Sequence, residues 1–239
     1  MSVKSLSQRS NGYILSEDSE RIVIATGFID PSENAKTGEM IQIWILARAE
    51  KPTDAIKSGL DAVVCGDCPL RGINGKNRTC YVNVGQAPRS VWEAYQRGSY
   101  PVLTDFSIFE NLSVRFGAYG DPVYIPFDII RRIVSFCDGW TGYTHQWRNP
   151  LFSAYKRYVM ASVETVDGMQ SAHDMGWRTF RVVPEGTDIN VAKTAREIGC
   201  VNTLRGIQCV DCGLCDGTTT MAKSIVIEAH GSGKKHLVA

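Results

Sequence analysis

Residues 113–146 read SVRFGAYGDPVYIPFDIIRRIVSFCDGWTGYTHQ, and this stretch decides the fold. Its apolar, β-branched runs at 113–118 and 141–146 each predict a strand. Between them, residues 126–136 carry isoleucines at three- and four-residue spacing, which is typical of a helix with one buried face. A strand, a helix and a strand in this order predict a right-handed crossover that joins two parallel strands.

The same pattern recurs along the chain. Further runs predict strands at 22–26, 40–47, 62–64, 81–84, 158–164, 177–183 and 224–229. Helical patterns lie between several of these strands, at 53–60, 89–97, 166–175 and 189–198. We therefore predict an α/β fold with a parallel sheet, arranged as a complete or partial (β/α) barrel with cysteine-rich metal-binding loops.

The composition indicates one folded unit. Residues 1–20 are rich in serine and charge, so we expect a flexible N-terminal arm there. Residues 21–239 contain no linker and no internal repeat, and we expect a single α/β domain with metal-binding loops at 65–80 and 200–215. A hydrophobic content of 44% over 239 residues is sufficient for a core that does not depend on disulfides.

The charge and hydropathy of the chain limit the classes of partner that it is expected to bind. The formal net charge is +1, so no global field indicates a nucleic-acid partner. No segment reaches the roughly 20 apolar residues that cross a bilayer, and the polar N-terminus lacks the apolar core of a signal peptide. We expect a cytoplasmic protein whose partner is a small-molecule substrate or an electron donor, and no membrane partner.

Chemically distinctive residues follow several predicted strands. The carboxyl ends of parallel strands meet at one edge of a sheet, so Cys65, Asp121, His145, Glu164 and His230 are expected to share that edge. Of these we take Asp121, His145 and Glu164 as candidate catalytic residues. Helix capping by the acids and a structural role for the histidine are the competing interpretations.

The C-terminal cysteines form the denser of two groups. Cys200, Cys209, Cys212 and Cys215 give the spacing C-x8-C-x2-C-x2-C. Clustered thiols in a reducing compartment indicate metal ligands rather than disulfides. The C-x2-C-x2-C run is closer to iron–sulfur proteins than to zinc hooks, so a four-iron cluster is favoured over zinc here.

The upstream group, Cys65, Cys68 and Cys80, has the spacing C-x2-C-x11-C and is one ligand short of four. Cys137 or a histidine completes it, or the fourth position is open to a substrate or cofactor. A completed set of four ligands indicates a structural site, whereas an open iron is suited to catalysis.

Several motifs resemble a family of uncharacterised proteins encoded by phages and plasmids. They are CGDCPLRG with CYVN, FGAYGDP, WTGYTHQW, MASVET, GWRTFRV and CVDCGLCDG. More distantly, the layout is similar to radical S-adenosylmethionine enzymes, in which three cysteines hold a four-iron cluster. That resemblance implies S-adenosylmethionine as a cofactor, with Gly117, Gly120 and Asp121 as its binding element and Cys200–Cys215 as an auxiliary cluster. The cysteine spacing of this chain departs from the C-x3-C-x2-C usual in those enzymes.

Two functions follow from these observations. The first is an iron–sulfur protein of phage type with one or two [4Fe–4S] clusters and redox or radical chemistry. The second is a zinc-stabilised binding module in which both cysteine groups are structural.

Overall fold

The computed structural model describes residues 10–74, 76–219 and 221–237. Its strands are β1 Gly12–Glu17, β2 Arg21–Thr26, β3 Ile41–Ala47, β4 Ser113–Tyr119, β5 Gly139–Thr144, β6 Met160–Val163, β7 Thr179–Val183, β8 Glu197–Gly199 and β9 Ser224–Glu228. Its α-helices are α1 Pro52–Ser58, α2 Ala62–Cys65, α3 Ala87–Gln96, α4 Phe127–Val134, α5 Val166–Asp174, α6 Ile189–Ala192, α7 Val201–Arg205 and α8 Cys209–Cys212. Short 3-10 helices lie at Pro69–Arg71, Phe106–Phe109, Pro122–Tyr124, Gln146–Arg148, Pro150–Arg157 and Lys234–His236.

The strands form one nine-stranded sheet in the order β1-β2-β3-β4-β5-β6-β7-β9-β8. β1, β2 and β3 pair antiparallel, and every pair from β3 to β8 is parallel. The α/β class and the mostly parallel sheet agree with the prediction. Within the described residues no ladder joins the edge strands β1 and β8, so closure of a barrel is not shown.

The core lies between the sheet and its helices. Helix α4 buries Ile129, Ile130 and Ile133, and these side chains belong to the same apolar cluster as Val114 and Phe116 of β4. Side chains alternate between the two faces of a strand, so Arg115 points away from this cluster. None of the helices in the described part of the chain combines the length and apolar character that a bilayer-spanning helix needs.

The N-terminal segment differs from the expected arm. Residues 12–17 form β1, and the carboxylate of Asp18 accepts hydrogen bonds from the backbone N–H groups of Glu20 and Arg21 at 2.8 and 2.7 Å, which closes a hairpin with β2. Leu15 is buried in the core. Polar residues next to Leu15 interrupt the apolar pattern, so the sequence did not predict this strand. Residues 1–9 of the expected arm lie outside the described residues.

Three element predictions are wrong. Residues 62–64 form helix α2 instead of a strand: the N–H groups of Cys65 and Gly66 donate to the carbonyls of Asp61 and Ala62 at 2.9 and 2.8 Å. The carbonyls that this short helix leaves free, those of Val63 and Val64, accept from Arg21 and Asp121. Residues 81–84 form no strand. The helix expected over 189–198 ends at Ala192, and β8 begins at Glu197.

A buried ion pair explains where β8 lies. Arg181 of β7 donates to both carboxylate oxygens of Glu197, each at 2.8 Å, and Glu197 also accepts the backbone N–H of Thr194 at 2.9 Å. Both charged side chains are buried. Burial alone would raise the pKa of Glu197, but these hydrogen bonds and the arginine charge hold it below its ordinary 4.5.

We expect Glu197→Gln to lower the free energy of unfolding by about 3 kcal/mol at pH 7, since it leaves a buried guanidinium without its charge partner. Because the pKa of Glu197 is lowered in the folded protein, its carboxylate stabilises the fold fully above pH 4.5, the ordinary pKa of glutamate. This stabilisation disappears as the pH falls through the lower pKa of the folded state. Urea unfolding of wild type and variant should therefore converge in acid. Exposed Glu110→Gln is the control, and equal stability of all three proteins at pH 7 would contradict the prediction.

Candidate metal centres

Two adjoining cavities lie on the face of the sheet that carries Arg115. The first cavity, of about 110 Å³, is lined by Cys65, Cys68 and Cys80, and the second, of about 170 Å³, by Cys200, Cys209, Cys212 and Cys215. Alternate residues of the parallel strands supply much of the lining: Arg115, Tyr119, Tyr143, Ser162, Phe180 and Ile227. Each cysteine group therefore faces a cavity of its own.

The thiols of the first cavity come from a folded loop. Cys65 ends helix α2, the N–H of Cys68 donates to its carbonyl at 3.3 Å, and the N–H of Cys80 donates to the carbonyl of Leu70 at 2.8 Å. Burial raises the pKa of Cys65 well above its usual range, and the charges of Cys68 and Cys80 raise it further. Burial and mutual repulsion therefore oppose ionisation of Cys65 and Cys80, and a bound cation would favour their thiolate forms.

His145 and Glu164 stand beside these thiols. A ring nitrogen of His145, Nε2, lies 2.9 Å from the Oε1 oxygen of Glu164. Burial disfavours the imidazolium, but the Cys68 charge and hydrogen bonds with Cys68 and Glu164 raise the pKa of His145 well above its usual range. A carboxylate behind a histidine fixes its orientation, an arrangement common around metal sites. The imidazole therefore lies beside the Cys68 thiol, at the cavity that the three cysteines line.

Asp121 lines the first cavity, but its carboxylate is already hydrogen-bonded to backbone N–H groups of the protein. Its carboxylate accepts the backbone N–H of Val123 at 3.2 Å and that of His145 at 2.9 Å. Its own N–H donates to the carbonyl of Val64 at 2.7 Å. Asp121 therefore ties α2, β4 and β5 together, and it places His145 at the cavity.

Gly117 and Gly120 are explained by close backbone approach. Both have positive φ, at 74° and 84°. A Cβ at Gly117 would lie 2.7 Å from the carbonyl oxygen of Gly120, and a Cβ at Gly120 would lie 2.6 Å from Ile45. Their packing requires glycine whether or not a cofactor binds nearby.

The second cavity is closed by the C-terminal loop. The N–H of Cys209 donates to the carbonyl of Lys36 at 2.8 Å, and the N–H of Gly142 donates to the carbonyl of Cys215 at 3.3 Å. Burial raises the pKa of the Cys215 thiol, while a hydrogen bond from Tyr143 to the thiolate opposes this. Burial and the neighbouring Cys200 also raise the pKa of Cys209.

Arg178 holds this loop in place. Its Nη1 atom donates to the Oδ1 of Asp216 at 3.0 Å and to the carbonyl of Gly217 at 2.6 Å. Its Nη2 atom donates to the carbonyls of Leu214 and Lys223, each at 2.8 Å. Arg178 and Asp216 are both buried. One guanidinium thus fixes the backbone on both sides of Cys215.

Four side chains line both cavities, and we call them the partition: Tyr81, Tyr143, Phe180 and His230. The rings of Tyr81 and His230 stack with centroids 5.0 Å apart, and those of Tyr143 and Phe180 lie 4.1 Å apart. Tyr81 also hydrogen-bonds Arg115, which is buried. A single layer of rings separates the two cysteine groups.

The remaining cysteine lies away from both cavities. Cys137 follows helix α4, contributes to neither lining, and has its pKa raised by burial to about 11. The sequence offered Cys137 or a histidine as a fourth ligand beside Cys65, Cys68 and Cys80. His145 lines the cavity of these three cysteines, and Cys137 does not.

Within residues 10–74, 76–219 and 221–237, no three His, Cys, Asp or Glu side chains are arranged to hold a single metal ion.

Sequence reasoning missed several residues of these cavities. Arg178, Arg115 and Tyr81 fall within quoted stretches of the sequence, but nothing in those stretches gave them a role, because tertiary contacts bring them to the cysteines. The strand-end rule placed Asp121, His145 and Glu164 at one edge, and they do lie together, although Cys65 arrives there from a helix. Comparisons with protein-family models, with curated proteins and with solved structures find no match for this chain.

Proposed function

We propose that the protein is an iron–sulfur protein with two clusters, one in each cavity, that carries out redox chemistry at the first. The observation that supports this most directly is that each cysteine group lines its own cavity and that only the partition separates the two. Two adjoining redox centres are suited to moving electrons from one to the other.

The donor sets fit such clusters. Thiolates are the usual ligands of iron–sulfur clusters, and a C-x2-C-x2-C run lets one loop supply several of them. All eight cysteines are free thiols in the structure. The proposal therefore includes a reducing compartment, the cytoplasm of the host cell. It also includes a sheet that curves as a partial (β/α) barrel, with both cavities on its inner face.

The two centres have different roles in this proposal. Cys65, Cys68 and Cys80 hold the first cluster, with His145 as the additional donor and Glu164 orienting it. Cys200, Cys209, Cys212 and Cys215 hold the second, which serves electron transfer or structure. A bound [4Fe–4S] cluster supplies one-electron transfer.

Metal analysis of protein purified without oxygen tests the proposal. We expect iron and acid-labile sulfide, with visible absorption of a brown protein. Cys80→Ser should remove about half of the iron and Cys212→Ser the other half, since each cluster depends on its thiolates. Cys137→Ser is the matched control and should leave the iron unchanged, because Cys137 lines neither cavity.

Two results would contradict this. A colourless wild type that carries zinc and no iron would overturn the cluster assignment. Loss of all iron from either cavity variant, with the control intact, would indicate one shared centre instead of two.

The narrower form of the proposal is radical S-adenosylmethionine chemistry, which rests on the resemblance of the cysteine layout. Its test is reductive cleavage of S-adenosylmethionine to methionine and 5′-deoxyadenosine, with dithionite as the electron donor. Absence of both products from iron-loaded protein would leave redox chemistry of another kind as the function.

The second candidate is a zinc-stabilised binding module without catalysis. It is supported by the His145–Glu164 pair at the cavity of three cysteines, because a carboxylate-backed histidine and cysteine thiolates are zinc ligands. The side chains of the described residues would have to move to close around one ion. Zinc bound in stoichiometric amounts, with no iron, is the result that this candidate predicts.

A further inference from the structure

The first cavity contains two polar groups that the proposed cluster ligands do not engage. The Nη1 and Nη2 atoms of Arg78 and the hydroxyl of Tyr119 are buried, and none has a hydrogen-bond partner among the described residues. Both side chains line the first cavity, and Tyr119 is only 2% exposed. A buried donor without an acceptor costs its full desolvation penalty, most of all when it is charged.

The neighbouring charges leave Arg78 available for an added anion. Asp61 is the nearby buried carboxylate: its Oδ1 atom pairs with Nη1 of Arg71 at 2.6 Å, and its Oδ2 atom is buried without a hydrogen-bond partner among the described residues. Burial raises the pKa of Asp61, Cys65 and Cys80, and the charge of Arg78 opposes this in each. Arg78 is therefore close to all three groups, yet its two terminal nitrogens make no hydrogen bond to any of them.

The first cavity also has an apolar part. Leu70, Val82, Phe180 and Val182 line it together with Arg78 and Tyr119. Binding cavities of small molecules combine an apolar lining with a few polar groups that fix orientation. Among the polar groups of this cavity, Arg78 and Tyr119 are donors without a hydrogen-bond partner in the described residues, and the apolar groups beside them are aliphatic and aromatic.

We propose that the first cavity binds a small organic anion, whose carboxylate or phosphate oxygens accept hydrogen bonds from Arg78 and Tyr119 and whose apolar body lies against Phe180 and Val182. The inference rests on the proposed function, since it assigns a substrate class to the cavity of the proposed reactive centre. An oxyanion is the acceptor that satisfies a guanidinium and a hydroxyl together.

Calorimetric titration of the full chain, purified without oxygen and with its iron content measured, tests this. The probes are phenylacetate and phenyl phosphate, which carry the two kinds of oxyanion, with acetate and inorganic phosphate as probes lacking an apolar body. At least one phenyl probe should bind, and more tightly than its counterpart without the ring. Arg78→Gln should weaken its binding about tenfold or more, and Tyr119→Phe about threefold. Arg89→Gln, at an exposed arginine of α3, is the control and should bind as wild type does.

The outcomes separate this inference from the proposed function. Failure of both phenyl probes to bind wild type, or equal binding by wild type and Arg78→Gln, overturns the inference. If Arg78→Gln loses iron and binding together, Tyr119→Phe decides: weaker binding with iron retained supports the anion site, and unchanged binding overturns it. Probe binding by wild type that carries no iron would overturn the iron–sulfur proposal and keep the anion site.

Discussion

Replacing Arg178 with leucine should lower the free energy of unfolding by about 3–5 kcal/mol, the cost of breaking a buried ion pair by removing one partner. The variant loses the hydrogen bonds that Arg178 donates to Asp216 and to three backbone carbonyls, and it places an apolar side chain beside the buried carboxylate. The carbonyls of Leu214, Gly217 and Lys223 lose their donor at the same time. Urea unfolding of the variant against wild type measures the change.

The same variant should lose the metal of the second cavity. Leu214 and Asp216 flank Cys215, so release of their backbone moves one of the four thiols. Metal in the first cavity should remain, and the Cys80→Ser background then shows which centre was lost. Arg205→Gln, at an exposed arginine of α7, is the control. A stability change below about 1 kcal/mol, within the range of surface ion pairs, would show that Arg178 does not hold the loop.

Replacing His145 with alanine should release metal from the first cavity. The imidazole stands beside Cys68 and is oriented by Glu164, so Glu164→Gln should weaken metal binding by about 10–100-fold, and His145→Ala by at least as much. Competition with a chelator, followed through the visible spectrum and through metal release, measures both variants. Metal in the second cavity should be retained.

His173→Ala is the matched histidine control, since the His173 ring hydrogen-bonds Ser224 and lines neither cavity. Should His145→Ala hold its metal as tightly as this control, His145 is not a ligand. The fourth position of the first centre would then be open, as a catalytic iron requires. The metal affinities of Glu164→Gln and His145→Ala are also compared with each other. They show whether His145 is itself a ligand or only positions Cys68.

The sequence was most informative for elements whose apolar residues repeat with the spacing of a helix or a strand. Isoleucines at helical spacing located α4, and the apolar runs beside it located β4 and β5, because burial of one face imposes that spacing. Spacing alone also gathered the cysteines into their two groups. These features depend on neighbours in the chain, which a sequence displays directly.

The remaining features depend on distant partners. Residues 62–64 have strand-like composition but form a short helix, whose leftover carbonyls at Val63 and Val64 find distant donors in Arg21 and Asp121. Gly117 and Gly120 resemble a cofactor loop, yet contacts within the fold account for both. Arg178 stands 37 residues before Cys215 and fixes its loop through contacts that no local pattern marks.

The partition has a thermodynamic consequence for the two cavities. Because Tyr81, Tyr143, Phe180 and His230 touch both spaces, an occupant that shifts these rings on one side changes the shape offered on the other. Coupling of this kind would be reciprocal, so whatever factor an occupant of the second cavity contributed to affinity in the first would be returned in equal measure. The shared wall of rings is thus the place where occupancy of one cavity would be linked to affinity in the other.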